Sequence, residues 1–247
     1  MNLTDPSYLK GVRNEKSFNR QALLQSFRNG GYELSESSFS KKLASMTKDG
    51  ELARIGHGMY CFPEKKAKPY EHEYSEFAVE VASFVQAQYP LLDFSIMELI
   101  QLNDFVNHQI AHNTVFVSVE ADVMQFVFDS LRERFFGKVL VNPTLEVYHQ
   151  YWSDNMIVIN RLRTEAPKNH VISWHIRLEK LLVDIVADSL LSDSISESEY
   201  PNIYEDAFSM YMIDESCLFR YASRRTIYNR IKAMILEKTN IKLRTLR

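Results

Sequence analysis

Glycine, cysteine and long apolar runs are scarce in this sequence, and each shortage excludes a class of protein. The 247 residues include only 7 glycines, and their spacings fit neither a phosphate-binding loop nor a dinucleotide-binding fingerprint. No G-x-S-x-G segment is present to form a nucleophile elbow. Cys61 and Cys217 are far apart and outside any C-x-x-C motif, which argues against a disulfide framework and a zinc site. We therefore expect no metal and no cofactor, and we expect both cysteines to be small buried side chains.

Segments long and apolar enough to cross a bilayer are absent as well. Even residues 181–191, which are rich in leucine and valine, are interrupted by aspartates. The N-terminal residues do not follow the basic-then-apolar layout of a secretory signal. A hydrophobic content of 45% and a charged content of 25% are ordinary for a globular protein. These features predict a cytoplasmic protein without a membrane partner, built from one large or two modest domains.

The net charge of −3 hides a strong asymmetry along the chain. Residues 1–68 carry 12 Lys and Arg against 7 Asp and Glu, a net charge of +5. Residues 69–216 carry 8 basic against 24 acidic side chains, a net of −16, whereas residues 217–247 carry 9 against 1, a net of +8. Charge asymmetry is a better guide to partners than the total charge, so both basic ends are candidates for contact with anions.

A predicted helix at residues 35–48 has two chemically different faces. Ser35 is a residue type that caps a helix N-terminus. Apolar side chains at Phe39, Leu43 and Met46 are spaced i, i+4 and i+7, so they share one face. The opposite face is polar and basic, with Ser38, Lys41, Lys42, Ser45 and Lys48.

A shorter helix precedes this one and a hairpin follows it. Residues 20–29 have the apolar spacing of a helix that begins after the capping residue Asn19. Residues 52–55 and 59–62 are β-like runs joined by Gly-His-Gly, a loop suited to a tight hairpin. This order of helix, turn, helix and hairpin predicts a winged helix-turn-helix domain at residues 1–62.

The predicted function of this domain is to bind DNA. A helix of this kind lies in the major groove, where lysines neutralise phosphates and polar side chains reach base edges. One alternative is that the basic face is merely solvated, and another is that the domain binds a protein and no DNA. The hairpin directly after the helix favours DNA. The candidate DNA contacts are Ser37, Ser38, Lys41, Lys42, Ser45, Lys48, Arg54 and His57.

The remaining chain predicts a linker at residues 63–72 and a mixed α/β domain at residues 73–247, so the whole chain is of the α+β class. The linker carries two prolines and shows no periodicity. Residues 177–191 show a wide apolar stripe, which is typical of a buried helix face. Further helices are predicted at 73–89, 121–135, 203–212 and 223–237, and strands at 94–99, 114–119, 138–142, 156–160 and 171–174.

Acidic side chains on the helix at 177–191 offer a candidate for chemistry. Glu179, Asp184 and Asp188 lie opposite the apolar stripe, and as metal ligands they would form a nuclease-like site guided by the N-terminal domain. The alternative, which we favour, is a solvated helix face on which Lys180 and Asp184 form an i, i+4 pair. The sequence therefore predicts no enzyme activity and no catalytic residue.

The last segment of the chain mixes arginine and tyrosine on neighbouring helical turns. Such mixtures favour anionic partners, because planar guanidinium groups match carboxylates and phosphates. The partner is a nucleic acid, an acidic protein or the acidic middle of this same chain, and the sequence leaves these three open. The side chains concerned are Arg220, Tyr221, Arg224, Arg225, Tyr228 and Arg230.

Three motifs, in order along the chain, resemble those of the AbiEi-type antitoxins. A G-x-L-x-R-x-x-x-G-x-Y pattern runs from Gly50 to Tyr60, where that family's winged helix ends. Residues 179–184 are similar to the family's Glu-Lys-x-Leu-Val-Asp helix, and residues 221–225 match its Y-A-x-R-R segment. Residues 90–175 align with the family only loosely.

The resemblance implies an antitoxin of a type IV toxin–antitoxin system. Its winged helix would repress its own operon by binding inverted repeats in double-stranded DNA. Its C-terminal domain would counteract a nucleotidyltransferase-like toxin without a stable complex, and we assign this role to Arg220, Arg224, Arg225 and Arg230.

Overall fold

The structure is a computed structural model that describes residues 9–13, 15, 17–49, 51–56, 58–62, 68–106, 108–169 and 171–244. These residues form helices and two small sheets, which confirms the predicted α+β class. None of the helices in this part of the chain combines the length and apolar character needed to cross a bilayer. The chain forms two compact units. Unit 1 consists of residues 1–70, 205–219 and 240–247, and unit 2 consists of residues 71–204 and 220–239.

Among its described residues, the N-terminal part of unit 1 has two α-helices and a small antiparallel sheet. The strand order is β1-β3-β2, so the first strand pairs with the far strand of the hairpin. Gly58 adopts a positive φ of 66° in the hairpin turn, a conformation that glycine takes without steric cost. The elements are β1 (Phe18–Asn19), α1 (Arg20–Asn29), α2 (Glu36–Lys48), β2 (Ala53–Gly56) and β3 (Met59–Cys61).

Both helices begin at the predicted caps, and α2 buries its predicted apolar side chains. The Asn19 side chain accepts a hydrogen bond from the Ala22 amide at 2.7 Å, and Ser35 Oγ accepts one from the Ser38 amide at 3.2 Å. Phe39 is fully buried and meets Phe27 edge-on, with ring centroids 5.8 Å apart. This packing fixes the apolar side of α2 and leaves its opposite side outward.

Unit 1 also includes two later segments that the sequence did not assign to the N-terminal domain. The Lys68 amide donates to the Met210 carbonyl at 3.2 Å, and the Lys68 carbonyl accepts from the Met212 amide at 3.0 Å. The Arg244 amide donates to the Glu215 carboxylate at 2.9 Å, and the Arg244 guanidinium contacts the Cys61 thiol. Cys61 and Cys217 are both free and buried, as predicted.

Unit 2 is built on a four-stranded sheet of order β4-β5-β7-β6. The β4 and β5 strands are antiparallel, whereas β5 with β7 and β6 with β7 are parallel. Every residue of β5 is buried, as expected for a central strand covered on both faces. The elements are α3 (Glu76–Gln88), β4 (Phe94–Glu98), a 3₁₀ helix (Leu99–Asp104), β5 (Thr114–Val119), α4 (Met124–Arg134), β6 (Val139–Val141), α5 (Leu145–Tyr151) and β7 (Met156–Arg161).

The last part of the chain is helical, with breaks that the sequence did not predict. The predicted helix 177–191 stops after Ala187, because the Asp188 side chain caps a new helix by accepting from the Leu190 amide at 3.0 Å. The predicted strand 171–174 is wrong, since this segment forms bends and turns and Val171 is 90% exposed. The helices are α6 (Leu178–Ala187), α7 (Ser189–Asp193), α8 (Tyr200–Met210), α9 (Glu215–Arg224) and α10 (Tyr228–Lys238).

Candidate functional site

The outward face of α2 carries the predicted DNA contacts. Ser37, Ser38, Lys41 and Ser45 are exposed and Lys42 is half-buried. The apolar stripe on the other side is 0 to 7% exposed. The helix therefore presents hydroxyls and ammonium groups outward from a rigidly packed base. The Lys48 side chain and His57 lie outside the described residues.

Hydrogen bonds organise the hydroxyl groups at both ends of this face. Ser35 Oγ lies 3.1 Å from Ser37 Oγ and donates to Ser38 Oγ at 2.9 Å. At the other end, Ser45 Oγ donates to the Asp49 carboxylate at 2.9 Å. These hydrogen bonds orient the hydroxyl groups at the two ends of the face, and Lys41 lies between the two ends in the sequence of the helix.

An arginine from α1 neutralises the one acidic side chain at the start of α2. Arg20 Nη2 donates to Glu36 Oε2 at 2.8 Å and to Ser40 Oγ at 2.9 Å. The same guanidinium lies 5.1 Å from the centre of the Phe39 ring. Because Glu36 is paired in this way, its charge offsets less of the positive field of Lys41.

The hairpin places Arg54 in β2, where it is exposed. Its register partner is Tyr60 of β3, and Tyr60 in turn is the partner of Phe18 in β1. The side chain of Arg54 is therefore carried by the edge strand of a three-stranded sheet.

The three carboxylates of the alternative site are not arranged as predicted. Glu179 is 2% exposed and Asp184 is 4% exposed, so the expectation of a solvated helix face is wrong. Glu179 accepts from Arg177 at 2.7 Å, and Asp184 Oδ2 accepts from Lys180 Nζ at 2.5 Å, which confirms the i, i+4 pair. The sequence signal failed at Asp184 because the groups that cover it come from α9 and from the residue after that helix.

A tyrosine and an arginine complete the surroundings of Asp184. Tyr221 Oη donates to Asp184 Oδ1 at 3.0 Å, and Arg225 lies 3.4 Å from the same oxygen and 4.0 Å from Asp188. Burial, with the Asp184 charge, raises the pKa of Tyr221 above its usual range. Burial alone would lower the pKa of Arg225, but the negative charges of Asp184 and Asp188 and the interaction with Tyr221 together outweigh burial and raise that pKa. Both oxygens of Asp184 are thus engaged by donors of the chain itself.

The four arginines predicted for the antitoxin role all pair with acidic side chains from the middle of the chain. Arg220 and Arg224 contact Glu165, Arg225 contacts Asp184 and Asp188, and Arg230 contacts Glu197. The sequence left open whether these arginines meet a nucleic acid, an acidic protein or the acidic middle of this chain, and the structure shows the last of these contacts. The arginines differ in exposure, however: Arg225 is 12% exposed, whereas the other three are 50 to 61% exposed.

One buried polar cluster in unit 2 had no signal in the sequence. Glu98 at the end of β4 is fully buried and accepts from Ser75 Oγ at 2.5 Å and from Asn113 Nδ2 at 2.6 Å. His72 Nε2 lies 3.2 Å from its other oxygen. Burial alone would raise the pKa of Glu98, but these hydrogen bonds outweigh burial and lower it. Among the described residues, no group of three or more His, Cys, Asp and Glu side chains could hold a metal ion.

Comparison with curated proteins finds no match. The crystal structure of the RV2827C protein from Mycobacterium tuberculosis is similar to this chain at 11% identity over 96% of this chain and 81% of that one, with a TM-score of 0.25. A likeness at that TM-score carries no argument about fold or function. Residues 38–241 match DUF6577, a family of unknown function, and this chain therefore belongs to that family.

Proposed function

We propose that the protein is a DNA-binding transcriptional regulator whose N-terminal part is a winged helix-turn-helix. The observation that carries the proposal is the outward face of α2, with Ser38, Lys41 and Ser45 opposite a fully packed stripe. The order β1, α1, α2, β2, β3 and the sheet order β1-β3-β2 support this reading. In it, α2 is the recognition helix and the hairpin is the wing.

Binding would divide the contacts between α2 and the hairpin. Lys41 and Lys42 would neutralise phosphates at the rim of the major groove, and Ser38 would reach base edges. Arg54, and His57 three residues further along the chain, would touch the flanking DNA backbone. Two copies on inverted repeats would give each half-site one recognition helix.

We further propose that this regulator represses its own operon and is the antitoxin of a type IV system. This part rests on the resemblance of residues 50–60, 179–184 and 221–225 to the AbiEi-type antitoxins. The proposed target is a nucleotidyltransferase-like toxin, counteracted without a stable complex and without a cofactor. The exposed arginines Arg220, Arg224 and Arg230 are better placed for this role than Arg225, which is buried in its own ion network.

The contacts of the carboxylates favour a structural role over the nuclease-like alternative. A metal ion at Asp184 would have to displace Lys180, Tyr221 and Arg225 from its oxygens. Buried carboxylates already paired with cations do not offer the open coordination position of a catalytic metal. Cleavage of plasmid DNA with Mg²⁺ or Mn²⁺, lost in Asp184→Asn, would instead support the enzyme.

A charge-matched pair of variants tests the DNA-binding proposal. Lys41→Ala with Lys42→Ala removes two positive charges from α2, and Lys232→Ala with Lys238→Ala removes two from α10. In gel shifts with the duplex upstream of the protein's own gene, we expect the first pair to weaken binding and the second to leave it nearly unchanged. Equal affinities of the two double variants would contradict the assignment of α2.

A further inference from the structure

Glu165 holds two exposed arginines on one face of α9. Its Oε1 accepts from Arg224 Nη2 at 2.7 Å, and its Oε2 lies 3.3 Å from Arg220 Nε. Because Arg220 and Arg224 are four residues apart on the helix, their guanidinium groups are neighbours. The two arginine side chains are 61% and 54% exposed, so solvent reaches both while Glu165 is in place.

The backbone of Glu165 is unusual for its residue type. Its φ is 60°, in the left-handed region that glycine and asparagine populate and glutamate seldom does. Burial raises the pKa of Glu165 less than the hydrogen bond from Arg224 lowers it, so the group is an anion at neutral pH.

Positive charge gathers around this carboxylate in an otherwise acidic part of the chain. Arg161 and Arg163 are exposed and precede Glu165 in the chain by four and two residues. Arg220 and Arg224 are the cations in contact with Glu165, so two guanidinium groups face one carboxylate there. Residues 69–216, which include this loop, carry 24 acidic side chains against 8 basic ones, so the cluster is a local exception.

We propose that Arg220 and Arg224 form a binding site for a phosphate group, and that Glu165 occupies it as a competing anion in the free protein. Two adjacent guanidinium groups provide paired donors that match phosphate oxygens. A phosphate offers three acceptor oxygens and up to two charges, whereas the Glu165 carboxylate offers two oxygens and one charge. An exposed ion pair of this kind is readily exchanged, because solvent screens it on both sides.

The surroundings favour a small nucleotide over a nucleic acid as the source of the phosphate. A long polyanion would also meet the acidic side chains of unit 2 and be repelled by them, whereas one compact phosphate group would meet mainly the arginines. The inference goes beyond the proposed function, since it assigns a small phosphate-bearing ligand to Arg220 and Arg224, two of the arginines proposed above for the antitoxin role.

Calorimetric titration of the full chain with ATP tests the site, with inorganic phosphate and a short single-stranded RNA as further probes. Glu165→Gln keeps the side-chain size and removes the competing charge, so we expect it to bind ATP roughly five- to tenfold more tightly than the wild type. Arg220→Ala with Arg224→Ala should abolish ATP binding, both alone and together with Glu165→Gln. Thermal melts verify that each variant is folded.

Glu197→Gln is the matched control, because Glu197 forms a comparable exposed pair with the single arginine Arg230. It should leave ATP affinity at the wild-type value. Equal affinity of Glu165→Gln and wild type, binding that survives loss of both arginines, or no ATP binding by either protein would overturn the proposal. Tighter binding of the RNA than of ATP would overturn the choice of a small nucleotide. Gel shifts with operator DNA on the same variants report separately on the DNA-binding function.

Discussion

In α2 the polar face opposite the apolar stripe is exposed, whereas in α6 the corresponding face is buried. Both helices show apolar residues at helical spacing with charged residues between them. The difference lies in what covers the second face: α6 has Tyr221 and Arg225 against Asp184, and α2 has an outward row of serines and lysines. Helical periodicity therefore identifies a buried stripe but does not reveal whether the polar face is also covered.

The largest effect should come from removing the carboxylate at the centre of the α6 network. Asp184→Ala leaves Lys180 and Arg225 buried without their shared anion, so we expect the free energy of unfolding to fall by about 3–5 kcal/mol. Urea denaturation followed by circular dichroism measures this. A loss no greater than that of an average surface substitution would mean that the face of α6 is as tolerant as that of α2.

Two arginines in the C-terminal part of the chain, Arg225 and Arg230, sharpen the same contrast between buried and exposed charge. Arg225→Ala should destabilise the protein by about 2–3 kcal/mol, because a buried cation that pairs with Asp184 is lost. Arg230→Ala should cost at most about 1 kcal/mol, since its partner Glu197 is largely exposed. Equal melting temperatures for the two variants would remove the distinction that we draw between them.

The N-terminal cap of α2 should have a smaller effect. Ser35→Ala removes the acceptor for the Ser38 amide and should cost about 1 kcal/mol. Ser35→Asp serves as the control, because aspartate accepts the same hydrogen bond and its charge suits a helix N-terminus. Thermal melts should place the aspartate variant at or above the wild type and the alanine variant below it.

The smallest effect on stability is expected on the outward face of α2. Lys41→Ala with Lys42→Ala should change the free energy of unfolding by no more than about 0.5 kcal/mol for each substitution, because neither side chain belongs to the buried stripe. A larger loss in urea denaturation would show that these lysines support the fold, and their role in DNA binding could not then be isolated.

Local features of the fold could be predicted from the sequence, and distant contacts could not. Asn19 and Ser35 cap the helices as predicted, because a cap depends on residues within one turn. The burial of the polar face of α6 was not predicted, because Arg225, which contacts Asp184 there, is 41 residues away along the chain and no periodicity links the two. Asp188 is of a residue type that caps helices, and it caps α7. The break between α6 and α7 was nevertheless not predicted, because the helical spacing of apolar residues continues past Asp188.

The candidate sites follow the same division. The exposed face of α2 was predictable because Phe39, Leu43 and Met46 fix which side is inward. The pairing of Arg220 and Arg224 with Glu165 was open from sequence, since Glu165 lies in a loop far from α9 along the chain. The buried cluster around Glu98 was not predicted, because its partners Ser75 and Asn113 are 23 and 15 residues away along the chain.

The salt dependence of DNA binding tests the central claim most directly. The full chain and the Lys41→Ala, Lys42→Ala variant are titrated against the upstream duplex by fluorescence anisotropy at increasing salt. Each phosphate neutralised contributes about −0.9 to the slope of log K against log salt, so we predict a steep slope for the wild type. The variant lacks two such contacts, and its slope should be shallower by about 1.8. A wild-type affinity that does not change with salt, or identical slopes for both proteins, would contradict the proposal that α2 binds DNA.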